Sequence, residues 1–276
     1  MIAALRPGVT QGLIELRQSF TGGDLIGHLF WPVATLAAIF LLRDRHVDGT
    51  DLALGTLILP GVLGMFVALG MHLTVQYLAA DREDGTLLRA KAIPHGVRGY
   101  LLGKLVTVSA TVLAYLAILL VPGMLLAGGF RLGDIHWLTL AWTLLLGLVA
   151  TQSLGAVIGA LLSSARGAGL LALPIIALIA VSGIFYPITG LPQWLQWIGQ
   201  VFPVYWLGLG MRSALLPGAA AAVEIGGSWR PGATAAVLGA WAVAGLVAAP
   251  IVLRRMTRRE SGSRVAERRE RTLQKV

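Results

Sequence analysis

Two long apolar runs, 52–79 and 101–127, constrain this chain more than any other feature. The first holds 28 residues without one Asp, Glu, Lys or Arg, and the second carries only Lys104 near its start. A helix of 28 residues reaches about 42 Å, more than the roughly 30 Å of a bilayer's hydrocarbon core. Neither run alternates with a period of two, and both exceed the length of a barrel strand. Hydrocarbon offers no partner for peptide groups, so runs like these are helices. Between them lies segment 80–104, with five Lys/Arg (Arg82, Arg89, Lys91, Arg98, Lys104) and three carboxylates (Asp81, Glu83, Asp84). Each central charge would cost about 2.5–3.5 kcal/mol in the membrane. The segment therefore belongs in water or against a soluble partner.

The remaining chain repeats the pattern. Further apolar spans are predicted at 25–42, 137–162, 168–185 and 233–253, which makes six. Residues 1–23 place Val9, Leu13, Leu16 and Phe20 on one helical face and Gln11, Glu15 and Gln18 on the other. That spacing predicts an amphipathic helix along the membrane surface. Pro32 is a candidate kink in the first span, and Pro174 lies inside the fifth. Gly155, Gly159 and Ser163 recur every fourth residue and predict a close helix–helix approach. Residues 186–231 are broken at Tyr186-Pro187, Leu191-Pro192 and Phe202-Pro203. Trp194, Trp197, Tyr205 and Trp206 near those breaks are interface-type residues. A re-entrant or surface-lying hairpin fits them better than a span.

Composition agrees with an integral membrane protein: the 276 residues are 56% hydrophobic and 13% charged. The chain has no cysteine, so disulfides, zinc–thiolate sites and thiol catalysis are excluded. The first apolar run has no cleavage pattern after it and reads as a retained anchor. Of the net charge of +9, the tail 254–276 contributes +6. Beside a membrane helix this is a cytoplasmic, lipid-leaning tail rather than a nucleic-acid arm. With six spans and both termini inside, the inner segments hold 17 Lys/Arg and the outer ones five. The positive-inside rule then puts segment 80–104 in the cytoplasm and 186–231 outside.

Catalytic chemistry is not visible. The spans hold no carboxylate pair and no metal-spaced histidine cluster. Gly99 to Leu105 departs from a phosphate loop in glycine spacing and in lacking the hydroxyl that binds magnesium. No ATP site is expected in this chain. His72 and Gln76, one turn apart, are candidates for a transport path, as are Gln152 and Ser153; the competing reading for each is an interhelical hydrogen bond. With neither a nucleotide site nor an ion relay, a transporter built this way draws its energy from a partner.

The run Asp-Arg-Glu-Asp-Gly-Thr-Leu-Leu-Arg at 81–89, then Pro94, then Gly103-Lys104, resembles the cytoplasmic segment of ABC-2-type permeases. Ser182-Gly-Ile-Phe-Tyr-Pro187, Leu191-Pro192-Gln-Trp-Leu195, Phe202-Pro203 and Met211-Arg212 resemble that family's second mark, near the outer end of its fifth helix. Asp81 stands where the family often has Glu, and Ala90-Lys91 replaces a usually apolar position. The closest flavour is the daunorubicin-type drug exporters.

The resemblance implies an all-α fold of six transmembrane helices (24–253). To these it adds an N-terminal interfacial helix, a cytoplasmic coupling helix within 80–100 and an outer re-entrant hairpin at 186–231. It implies a non-catalytic permease subunit in a bacterial inner membrane, both termini cytoplasmic. Its partners would be a separate ABC ATP-binding subunit, which binds ATP and Mg, and a second copy or sister permease. Asp81, Arg82, Glu83, Asp84, Gly85, Thr86, Arg89 and Pro94 would couple to the ATPase. Tyr186, Pro187, Pro192, Trp194, Trp197 and Pro203 would shape the hairpin. Two alternatives stay open: an ABC-2 exporter of a lipid-linked glycan or glycolipid, and a carrier driven by an ion gradient.

Overall fold

A computed structural model describes residues 2–22, 24–43, 54–93, 96–127, 130–162 and 165–259. Eleven α-helices and four short 3-10 turns follow one another, with no strand among the described residues. The helices are α1 (Ile2–Ser19), α2 (Asp24–Leu42), α3 (Leu54–Glu83), α4 (Thr86–Lys91), α5 (Gly96–Ala127) and α6 (Trp137–Leu161). Then come α7 (Ala165–Leu170), α8 (Ala172–Val181), α9 (Gln193–Val201), α10 (Pro203–Leu215) and α11 (Pro231–Arg259). Among the described residues, five helices (α2, α3, α5, α6 and α11) are long and apolar enough to cross a membrane. Pro32, Pro60, Pro122 and Pro250 lie inside helices and end none of them.

α3 is the centre of the bundle. Its apolar stretch is 72% buried, against 11% for α2 at the edge. α5, α6 and α10 surround it. Small residues set the distance to α6: a Cβ on Gly155 would lie 2.4 Å from the Met71 carbonyl oxygen, and one on Gly159 3.2 Å from Val75 Cα. Backbone meets backbone there because nothing stands between. Ser163, the third residue of that expected stripe, lies outside the described residues. Thr151 adds a hydrogen bond from α6 to the Val67 carbonyl of α3, at 3.2 Å.

Two expectations need correction. The fifth span, 168–185, is not continuous. α7 stops at Leu170, the chain turns at Leu171, and α8 has only 10 residues. Helix ends before Gly183, whose φ of 65° is left-handed and whose position suits glycine alone. Apolarity carries on through the break, so composition does not reveal it.

The second correction concerns the flanks of the charged segment. α3 runs on to Glu83, and α5 starts at Gly96 rather than 101. α1 is a helix over Ile2–Ser19. It packs along α5 with Gly12 buried, where a Cβ would meet the Gly103 carbonyl oxygen at 2.7 Å. Glu15 turns into the protein to Lys104, while Val9, Leu13 and Ile14 stay exposed. Gly12 and Glu15 thus face the protein, and Val9 and Leu13 of the predicted apolar face stay outward.

The bundle has two distinct ends. At one, α4, the start of α5 and the ends of α6 and α11 meet around Leu87, Tyr100, Ala160 and Leu253. At the other, the hairpin helices meet the start of α11 around Tyr205, Trp206, Leu209 and Leu238. The hairpin divides its labour. α10 is buried on nearly every side, with Leu207, Leu209 and Met211 fully enclosed. α9 keeps Trp194, Trp197 and Val201 exposed, each by 59% or more. So α10 enters the protein, and α9 is its outward, amphipathic arm.

Candidate functional site

The charged end is built on a turn. Gly85, with φ 72°, reverses the chain between α3 and α4. Leu87, 1% exposed, anchors α4 among Leu78, Tyr100 and Leu253. The charges of this segment then separate into two groups. Asp81 points inward, where it accepts a hydrogen bond from the Tyr100 hydroxyl at 2.6 Å and pairs with Lys104 at 2.8 Å. Lys104, 4% exposed, also reaches Glu15 of α1 at 2.8 Å. Thr107 donates to the Gly12 carbonyl at 3.2 Å beside that pair. Arg82 donates to the carbonyl of Leu162, which ends α6. A cation suits that position, where helix carbonyls lack partners. Asp84, Arg89 and Lys91 are exposed, and Glu83 is half-buried. Arg89 donates to Thr86 Oγ1 at 3.0 Å along α4. Pro94 lies outside the described residues.

A cleft of about 700 Å³ opens beside α3, between α2, α5 and α8. Trp31, Phe66, Leu69, His72, Tyr115 and Ile176 are among its walls. His72 Nε2 stands 3.2 Å from the Gln76 side-chain nitrogen one turn on. Gln152 and Ser153 do not line this cleft. Gln152 is 1% exposed and exchanges hydrogen bonds with Ser109 of α5, at 3.0 and 3.3 Å. Ser153 is equally buried, donates to the Ala150 carbonyl at 3.3 Å, and packs on Gly245 of α11. The four polar candidates thus fall apart, with His72 on a cavity wall and Gln152 and Ser153 between helices.

At the hairpin end, Tyr186 donates to the Ala180 carbonyl at 2.6 Å and folds the broken segment back onto α8. Pro187 and Pro192 flank the 3-10 turn Ile188–Gly190, and Pro203 opens α10 as its first residue. The key polar residue here is Arg212. It is 4% exposed, pairs with Glu224 at 2.7 Å, and donates to the carbonyls of Gly183 and Ile184 at 3.0 Å each. One guanidinium therefore satisfies the carbonyls freed where α8 ends and ties them to α10. Arg230 holds the start of α11 in the same manner. Its φ is 45°, it donates to the Tyr205 hydroxyl and to Gln200 at 3.1 Å, and it lies 4.8 Å from the Trp206 ring centre. Burial pushes the Tyr205 phenol above its ordinary value, and the Arg230 charge works against that rise.

Sequence reasoning missed Glu15, Lys104 and Glu224 as partners. One signal was present for Arg212, a lone cation inside the otherwise apolar stretch 204–215. Among the described residues, no group of three His, Asp or Glu is placed to hold a metal ion. A family model described as ABC-2 family transporter protein matches residues 47–250. No curated protein matches the chain.

Proposed function

The chain belongs to the ABC-2 family of transporter proteins, and from that premise we propose that it is the permease half of an ATP-driven exporter. It is a multi-pass membrane protein and a transporter subunit, not itself catalytic. In our reading a separate ABC ATP-binding subunit binds ATP and Mg and docks on α4. The charged end lies in the cytoplasm, the hairpin outside, and both termini inside a bacterial inner membrane. The chain works as a pair, with a second copy or a sister permease. The cargo is a hydrophobic or amphipathic compound of the drug or antibiotic kind.

One observation carries this reading most. α4 and the turn before it present Asp84, Arg89 and Lys91 outward, while the root of this segment is tied to three other helices. Asp81 bonds to Lys104 of α5 and, through it, to α1; Arg82 bonds to the end of α6. A push on α4 would move α1, α3, α5 and α6 together. That is the wiring an energy input from outside the membrane requires. The basic asymmetry supports the orientation. Among the described residues the walls of the cleft carry no Asp, Glu, Lys or Arg, which supports an apolar cargo over a lipid-linked glycan.

Reversing the exposed charges of α4 tests the proposal. Gly85→Trp is a poor probe, because φ 72° strains any side chain there. Arg89→Glu with Lys91→Glu touches no buried group. The permease and its ATPase are reconstituted in vesicles, and transport and ATP hydrolysis are read side by side. Transport should fall sharply, with the ATPase released or no longer responsive to cargo. Normal export by this variant would place the energy input elsewhere.

A further inference from the structure

We propose that α1 ties the charged end of the bundle to the mouth of the cleft. Docked on α5, it holds α2 in place and the mouth narrow; released, it lets α2 swing outward. This deepens the export reading, and rests on it only for the claim that the motion serves transport.

The contacts of α1 climb α5 in order. Gly12 lies against Gly103 and Val106, and its carbonyl accepts from Thr107 at 3.2 Å. Glu15, nearly one turn on, pairs with Lys104 at 2.8 Å. Phe20 continues the last turn of α1, its amide donating to the Leu16 carbonyl at 3.1 Å. The Phe20 ring stacks on His28 of α2, with centroids 5.0 Å apart. His28 bonds through Nδ1 to the Tyr115 hydroxyl, about three turns beyond Gly103 on α5.

This chain of contacts ends in two different places. At the lower end Lys104 also holds Asp81 of α3 at 2.8 Å, just before the turn that sends out α4. At the upper end Tyr115 meets Phe66 of α3 edge-on at 5.6 Å, and both rings are walls of the cleft. Trp31, one turn from His28 on α2, and Ile176 of α8 are wall residues too. They are 68% and 57% exposed and mark the mouth.

Of the five spans among the described residues, α2 is the least held. Its apolar stretch is 11% buried, the lowest value of the five. Helices in lipid stay together by packing and hydrogen bonds, and α2 has little packing to rely on. The turn joining α1 to α2 is short, with Gly22 at φ 69°, so a shift of α1 reaches α2 directly. The lower joint is the part that gives. Glu15 and Asp81 keep 25% and 15% side-chain exposure, and water can take over either carboxylate. Lys104 holds both only while α1, α3 and α5 keep their spacing. A load on α4 displaces Asp81, α1 loosens, the Phe20 ring leaves His28, and α2 is freed at the cleft. By the same path an occupant that spreads Trp31 from Tyr115 reaches Asp81, as linkage requires.

A distance across the mouth tests this in the permease alone. The chain has no cysteine, so Phe30→Cys on α2 and Leu173→Cys on α8, both exposed positions, take one spin label each. Pulsed electron resonance of the purified protein in lipid nanodiscs reads the spread of separations. Glu15→Ala cuts the lower joint and leaves Lys104 its Asp81 partner. It should raise the population at long separation about threefold or more. Tyr115→Phe removes the hydroxyl, keeps the ring, and should raise it as well. In that background Glu15→Ala should add nothing, because the upper end of the tie is already cut. A control pair at Leu145→Cys on α6 and Val247→Cys on α11, also exposed, should keep its separation throughout. No response to Glu15→Ala, an equal factor in both backgrounds, or a matching change in the control pair overturns the proposal. No ATPase is present, so the two readings fail separately. Coupled opening beside absent ATP-driven export would leave the tie standing and sink the export reading; export beside independent effects of the two changes would do the reverse.

Discussion

Lys104 and Arg212 are both buried cations, each 4% exposed, and they hold opposite ends of the bundle. Their surroundings differ. The Lys104 ammonium is shared between Glu15 and Asp81, whose side chains keep 25% and 15% of their exposure. Water reaches those carboxylates. The ion pairs of Lys104 are made by side chains from α1, α3 and α5. Glu224, the partner of Arg212, is 1% exposed, and Arg212 also grips two backbone carbonyls. The first arrangement is a joint that can loosen as its helices shift. The second is a clamp, set where the backbone is broken and peptide groups would otherwise lack partners. In lipid such a break is tolerated only where protein supplies those partners. Under the proposed function, in which the permease is driven from its charged end, that difference would serve as a compliant joint near the input and a fixed hinge beyond it.

The largest effect should come from the clamp. Arg212→Leu leaves Glu224 buried without its cation, and breaking a buried pair this way costs about 3–5 kcal/mol. Thermal unfolding of the purified protein should show a severe loss, and the double change Arg212→Leu with Glu224→Leu should recover part of it. If the single change is mild, the hairpin is held by packing alone and the comparison collapses. Lys104→Met should cost less, about 1–3 kcal/mol, because water can take over its carboxylates. Its sharper signature is local: α1 should become sensitive to protease while the rest stays folded. Cleavage of α1 at the wild-type rate would show that Glu15 contributes nothing to its docking. At the small end, Arg89→Ala and Lys91→Ala change exposed residues and should move stability by no more than about 0.5 kcal/mol. A larger loss would mean that α4 supports the fold and is no free docking surface.

The long helices were legible because 28 residues without charge have few other fates. The signs of the small-residue contacts were legible too: Gly155 and Gly159 sit where helical spacing put them. What sequence hid was pairing. Glu15 reads as a solvent-facing residue until Lys104, 89 positions away, is placed beside it. Gln152 reads as a pore residue until Ser109 meets it. The break between α7 and α8 was invisible because its residues stay apolar and only local backbone geometry distinguishes them. The cleft was half-visible: His72 and Gln76 share a helical face, but α2 and α8, which close it, are distant in sequence. Glu224 had no signal, since one carboxylate in a Gly- and Ala-rich loop resembles any solvated charge.

The two ends of the bundle have opposite roles in the proposed function: the charged end receives the energy input and the hairpin end faces out. The chain has no cysteine, so Lys91→Cys on α4 and Ser228→Cys in the hairpin segment give single exposed targets. An impermeant maleimide is applied to sealed right-side-out vesicles, and again after permeabilisation. Position 228 should react in both, and position 91 only once the membrane is opened. Labelling of position 91 in sealed vesicles, with position 228 protected, would put the charged end outside and contradict the account.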